Sequence, residues 1–257
     1  MTDAALLAAL PGWAFAFVLV LSRTGAVVML MPGLGEAEPP AVIRAGLAVA
    51  LSLLLLPAVV PLIPAMPEAR LTSAGMVVAE LLVGAMLGWL ARLPALALGM
   101  AGAVMSYMLG ISNVVQTDPA LGGQSSALAR LFGLAAPVLV LSTGLYALPL
   151  RALGGSYRVV APGSLLPSGP LAEGVTAAVT ACFSMAVQLA APFILAGLIW
   201  QAALGLLARL APQLQIYNVA TPGQIIGGLA LLGLLGSRIL AAWLDGVSAA
   251  WSGLPGL

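Results

Sequence analysis

The sequence predicts an all-α protein: a multi-helix, membrane-associated chain with long kinked helices. Three observations carry this. First, 62% of its 257 residues are hydrophobic and 7% are charged, against about 25% charged in soluble domains; the mean hydropathy is +1.14. Second, the uncharged runs are long. Gly174 to Ala208 is 35 residues without a charge, and Leu210 to Ser237 is 28 more. Third, no run alternates in polarity as a transmembrane barrel strand would. Backbone in a dry environment must satisfy its own hydrogen bonds, so apolar runs of this length read as helices.

The first helix is expected from Leu6 to Met31, with Arg23 inside it. The N-terminus has no basic region before its apolar run, so this helix reads as retained and not as a cleaved signal. "PGLGEAEPP" (Pro32 to Pro40) is a turn with two acids, and Ala41 to Leu56 is a second helix. Four prolines from Pro57 to Pro67 predict a break. Leu71 to Leu93 and Ala95 to about Val115 read as two helices separated at Pro94. "QTDPALGGQSS" (Gln116 to Ser126) is a polar, glycine-rich interruption. Ala127 to about Leu150 follows, with Pro137 as a kink. Arg151 to Pro170 has the Gly, Ser and Pro content of a surface connection.

Two long segments end the chain, Leu171 to Leu210 and Ile216 to Trp251. Each would exceed about 50 Å at ~1.5 Å per residue, while a bilayer core needs only about 30 Å. They meet at "RLAPQLQIYNVATPG", where Pro212 and Pro222 flank Gln213, Gln215, Tyr217 and Asn218. Gly84 and Gly88 form a GxxxG pair that allows close helix–helix approach.

Composition also excludes chemistry. The net charge of +1 gives no footprint for nucleic acid. With no histidine, a Ser–His protease is excluded and the commonest general base is missing. No nucleotide-binding fingerprint is present and metal ligands do not cluster, so no cofactor is expected and the protein reads as a non-enzyme. Cys182 lies alone in an apolar run and reads as a small buried residue. Met100, Met105 and Met108 precede the polar interruption. Core packing is their plainest role, and a flexible seal against a passing polypeptide is the alternative.

Charges inside apolar runs are functional candidates because an unpaired charge in lipid is costly. Arg23, Glu80, Arg92 and Arg238 qualify. Glu80 is the only acid well inside such a run. Its favoured role is pairing with an arginine of this chain or of a neighbour, with ion transport as the alternative. For Arg23, Glu80 and Arg92 the expectation is pairing that includes other subunits. Loop charges nearly balance: only Arg151 and Arg158 are unopposed, which fixes no topology.

The segment "MAVQLAAPFILAGLIWQAALGLLARLAPQLQIYNVATPGQIIGG" (Met185 to Gly228) resembles the FliR family of flagellar biosynthesis proteins, whose counterparts in virulence type III secretion are the SctT proteins. The PFxxAGLxxxxALGLLxRLxPQLQ pattern is its most specific part. The "DP" at Asp118 and Pro119, "MPGLGEAEPPAVIRAGLAVALSLLLLP" and "AELLVGAMLGW" extend the likeness over essentially the whole chain. Gln215 and Tyr217 depart from the Asn and Phe usual in that turn.

The resemblance implies a subunit of the export gate at the base of the flagellum, in the bacterial inner membrane and partly raised toward the periplasm. FliP and FliQ chains would complete a helical ring, with FlhA and FlhB nearby. Unfolded flagellar proteins would cross through its centre. It implies a FliP-like part over residues 1–170 and a FliQ-like helical hairpin over 171–257, joined as one integrated unit. It also implies a pore plug at the polar interruption, with Gly110, Gln116, Asp118, Pro119, Gly122, Gly123 and Gln124 as candidates. Arg209, Pro212, Gln213, Gln215, Tyr217 and Asn218 become candidates for the hairpin turn and its partner contacts. An SctT-like virulence subunit is the nearer alternative. A multi-pass small-molecule transporter is the more distant one, and would predict inverted repeats and a midplane polar site that are not found.

Overall fold

The structure, a computed structural model, describes residues 3–36, 38–111, 116–118, 123–164, 168–210 and 216–257. Among these, seven α-helices carry the fold: α1 (Asp3–Leu30), α2 (Ala41–Val59), α3 (Arg70–Met108), α4 (Ala127–Ser142), α5 (Ala147–Val159), α6 (Ser168–Leu210) and α7 (Ile216–Ser252). A 3-10 turn, Val60–Leu62, follows α2. Among the described residues the only β-structure is a small antiparallel pair, β1 (Gln116–Asp118) with β2 (Gly123–Ser125). Five helices are long and apolar enough to cross a membrane, or up to six spans if the bent pair α4 and α5 is counted as one.

The all-α class stands, and four boundaries differ from expectation. Pro57 lies within α2, so the break begins later, at the 3-10 turn. Pro94 does not end a helix: α3 is one helix of 39 residues. A proline removes the N–H owed to the carbonyl four residues earlier and crowds that turn, but apolar helices tolerate this when neighbours re-satisfy the backbone. Two indoles, described below, donate to carbonyls of this same turn, at Ala91 and Pro94. The expected helix from Ala127 runs through Pro137 and stops instead at Ser142, where Gly144 turns the chain with φ +75°. The expected connection from Arg151 is helical as far as Val159.

The chain forms two compact units, and neither is continuous in sequence. Unit one is Met1–Leu93, Val140–Ala178 and Ala249–Leu257; unit two is Pro94–Leu139 and Val179–Ser248. In unit one, α1 and the first half of α3 cross closely. A Cβ on Gly88 would lie 3.1 Å from the Val27 carbonyl, and Gly84 faces the backbone of Arg23. The GxxxG pair is therefore the contact surface that lets α1 lie on α3. Leu19, Val20, Val27 and Val28 of α1 are buried, with Ala79, Val83 and Ala91 of α3 and Leu153 of α5. Trp251 is fully buried and its Nε1 donates to the Ala91 carbonyl at 2.9 Å.

In unit two, the second half of α3 packs on α4 at Gly102, where a Cβ would lie 2.9 Å from the Leu128 carbonyl. The segments of α6 and α7 in this unit form an antiparallel hairpin: Trp200 meets Gly223, and Met185 meets Gly246 further along. Trp243 is fully buried and donates from Nε1 to the Pro94 carbonyl at 2.9 Å. In each unit an indole thus supplies a donor to the backbone around the proline.

Candidate functional site

Two places combine polar side chains with special backbone. The first is in unit one and is built on Arg23, fully buried in α1. Its Nε donates to Glu80 Oε2 at 2.7 Å and its Nη2 to Glu80 Oε1 at 2.9 Å. This is the two-pronged geometry that makes arginine–carboxylate pairs strong. Nη1 donates to Ser156 Oγ and to the Val160 carbonyl, each at 3.2 Å, and Nη2 reaches the same carbonyl at 3.2 Å. The Tyr157 ring lies 4.2 Å below the guanidinium carbon, close enough for a cation–π contact. Glu80 Oε1 also accepts the Gly163 backbone N–H at 2.7 Å. The charges are matched and their hydrogen-bonding capacity is used, which is what makes burial of such a pair tolerable.

Arg92 makes the second ion pair of the described residues, with Glu36 at 3.0 Å. It also donates to the carbonyl of Leu30, the last residue of α1, at 3.3 Å. A cation there satisfies an orphan carbonyl and suits the negative end of the helix dipole. Arg23, Glu80 and Arg92, expected to pair with charges that include those of other subunits, are thus each paired within this chain. Arg238 is exposed on α7.

The second place is in unit two, where α3 ends and the hairpin begins. Gly110 has φ +71° and turns the chain out of α3. Gln116 pairs with Ser125, Thr117 with Gln124 and Asp118 with Gly123. Gln116, Asp118, Gly123 and Gln124 therefore sit on two facing strands; Pro119 and Gly122 lie outside the described residues. Ser126 closes the feature: its Oγ accepts the Ala129 N–H at 3.3 Å, as an N-cap of α4 does. What the sequence presents as a polar loop contains a pair of antiparallel strands between α3 and α4.

Gln224 of α7 is a residue that sequence reasoning missed. Its Nε2 donates to the Met108 carbonyl at 2.7 Å, at the last turn of α3. The available signal was a lone amide in an otherwise uncharged run. Of the turn residues, Arg209 is exposed in the last turn of α6. Tyr217 and Asn218 lie in the first turn of α7, which begins at Ile216. Pro212, Gln213 and Gln215 lie outside the described residues.

No group of three or more His, Cys, Asp or Glu side chains could hold a metal among the described residues. What the two places offer is mechanical: a satisfied ionic brace, and a hairpin whose root is held from two sides.

Comparison with known proteins gives a consistent picture. The family described as bacterial export proteins, family 1, matches residues 14–250. The flagellar biosynthetic protein FliR of Caulobacter vibrioides is 36% identical over 227 residues, 88% of this chain and 90% of that protein. FliR of Bacillus subtilis is 28% identical over 222 residues, 84% of each chain. The secretion system apparatus protein SsaT of Salmonella typhimurium is 26% identical over 226 residues, 87% of this chain and 86% of that protein.

Proposed function

The chain belongs to family 1 of the bacterial export proteins, and from that membership we propose that it is a pore-forming subunit of the flagellar type III protein export gate. It is a component of an export apparatus and a multi-pass protein of the inner membrane. In the proposed role it joins FliP- and FliQ-like chains, with FlhA- and FlhB-like proteins nearby in the basal body, and unfolded flagellar subunits pass through the assembly. The flagellar assignment over a virulence system is supported by the 36% identity to the FliR of Caulobacter vibrioides over 88% of this chain, against 26–29% for the virulence-system relatives.

The observation that carries the reading is the antiparallel pairing of Gln116–Asp118 with Gly123–Ser125, a polar insertion between the long apolar α3 and the shorter α4. In a pore subunit such an insertion serves as a plug. It closes the channel at rest and is small enough to be displaced by a passing chain. A second feature supports assembly. Within the membrane-length span of α7, Ala220–Ser252, the most apolar 18-residue window is only 6% buried within the chain, the buried side chains Ile239, Trp243, Val247 and Trp251 lying toward its C-terminal end. An apolar surface of that extent needs lipid or protein against it. In this reading the residues from Arg209 to Asn218 meet neighbouring subunits.

The test is deletion of Thr117 to Gln124 in cells that express the whole gate. The inner membrane should become leaky to small ions while the subunit still assembles. Unchanged permeability with normal assembly removes the plug.

A further inference from the structure

Three consecutive residues at the end of α3 each have a dedicated contact on the C-terminal helices. The Met108 carbonyl accepts Gln224 Nε2 at 2.7 Å. The last carbonyls of a helix have no partner of their own, so this bond satisfies an orphan group. The Met108 side chain lies against Gly197 of α6, where a Cβ would come within 2.8 Å of its sulfur. Leu109 is buried and lies on Gly228 of α7. Gly110 lies against the Gln224 carboxamide, and a Cβ there would be 3.4 Å from its Cδ. The hairpin strand begins six residues beyond this contact, at Gln116.

The contact carries no charge. It consists of one neutral hydrogen bond and of the Met108 and Leu109 side chains seated on Gly197 and Gly228, with no ion pair across it. Beside it lies a cavity of about 310 Å³, bordered by Leu109, Phe193, Trp200 and Leu231. Trp200 Nε1 is buried without a hydrogen-bond partner. A void next to a helix end gives a side chain somewhere to go. Packed interiors change by switching between discrete arrangements and not by stretching.

We propose that Gln224 and Gly228 of α7 latch the root of the β1–β2 hairpin, and that displacing the hairpin requires Met108 to Gly110 to leave α7 while Leu109 turns into the adjoining cavity. This rests on the reading of the hairpin as the plug.

The test uses the complete gate with its partners. Leu109→Cys and Gly228→Cys are combined in a Cys182→Ala background. The Cβ positions are 3.3 Å apart, near the ~3.5–4.5 Å span of a disulfide. Oxidation should close the cross-link in the resting gate, lower secretion of export substrates at least tenfold, and leave potassium permeability at its resting level. Reduction should restore secretion. In a separate strain, Gln224→Leu should raise resting potassium leak about threefold to tenfold, the equilibrium shift expected for one lost hydrogen bond.

Undiminished secretion by the verified cross-linked gate overturns the latch. So does failure of the two cysteines to cross-link in an assembled gate, or an unchanged leak in an assembled Gln224→Leu gate. The Thr117–Gln124 deletion separates the two ideas. If the deletion leaks while the cross-linked gate secretes normally, the plug stands and the latch falls. If the deletion stays tight, the plug reading falls and takes the latch with it.

Discussion

Replacing Glu80 with Gln should destabilise the protein far more than any surface change, and the structure sets the scale. Glu80 is fully buried and accepts from Arg23 Nε at 2.7 Å, from Arg23 Nη2 at 2.9 Å and from the Gly163 N–H at 2.7 Å. The amide keeps the shape and one acceptor. It loses the charge and turns N–H groups toward an arginine that has nothing to accept them with. Arg23 is then a buried cation without its counter-charge, a situation that costs about 3–5 kcal/mol. Arg23→Met should cost a similar amount by stranding the carboxylate. If the costs were independent, the double variant Arg23→Met/Glu80→Met would lose about 6–10 kcal/mol. Replacing a buried pair with apolar side chains is often near neutral. The Val160 carbonyl and Gly163 N–H would lose partners, at about 1–3 kcal/mol each. The double variant should therefore be no worse than the worse single one. The assay is thermal unfolding of the purified complex, followed by loss of intact assembly. At roughly 2–4 °C per kcal/mol for a chain of this size, each single variant should melt on the order of 10 °C lower. A double variant whose loss equals the sum of the singles to within about 0.5 kcal/mol would show that the two residues act independently, and the brace would have to be abandoned.

Two further outcomes follow from the packing. Gly84→Leu should reduce the yield of assembled protein, because it drives a side chain into the backbone of α1 at Arg23; overpacking costs about 1–3 kcal/mol and more against backbone. Gly75→Ala, where a Cβ meets nothing within 4 Å, should leave the yield unchanged or raise it; equal yields for both variants would remove the close crossing as an explanation. Trp243→Phe and Trp251→Phe keep most of the ring and delete the donors to Pro94 and Ala91. Each should lower thermal stability of the complex by about 1–3 kcal/mol for a buried carbonyl left without its donor, whereas Trp→Ala should cost about 3–5 kcal/mol. No change in melting for the two Phe variants would mean that the indole N–H groups do not support the backbone around the proline.

Local signals were legible in the sequence and long-range partners were not. The expected helices Leu171–Leu210 and Ile216–Trp251 match α6 and α7 to within three residues at each end, because nothing else competes for apolar runs that long. The spacing of Gly84 and Gly88 announced a close crossing without saying which helix would use it. Pro94 misled for the same reason in reverse. Its local rule says break, yet the helix continues, with Trp243 and Trp251 donating to the Pro94 and Ala91 carbonyls of that turn from 149 and 160 residues away. The carboxylate of Glu80 was visible as an anomaly, yet its partner Arg23 is 57 residues earlier and the Val160 carbonyl belongs to no side-chain pattern at all. The hairpin was marked by its glycines and polar residues. Its root contact, Gln224 on Met108, joins positions 116 residues apart and carries no local signature.

The brace around Arg23 also sets an order of events during synthesis. Arg23 lies in the first membrane-length helix and leaves the ribosome long before its partners. Glu80 follows 57 residues later, and the Val160 carbonyl 137 residues later. At about 5–20 residues per second, the last partner arrives roughly 7–27 s after the arginine. Until Glu80 is made, roughly 3–11 s at that rate, α1 carries an unmatched cation that costs an insertion machinery about 2.5–3.5 kcal/mol at mid-bilayer. The helix can be held beside water or a chaperone, but it cannot settle in lipid by itself. Final integration of the first span is thereby deferred until α3 has been made, so a chain truncated before Glu80 is left with an unmatched charge that quality-control proteases can read.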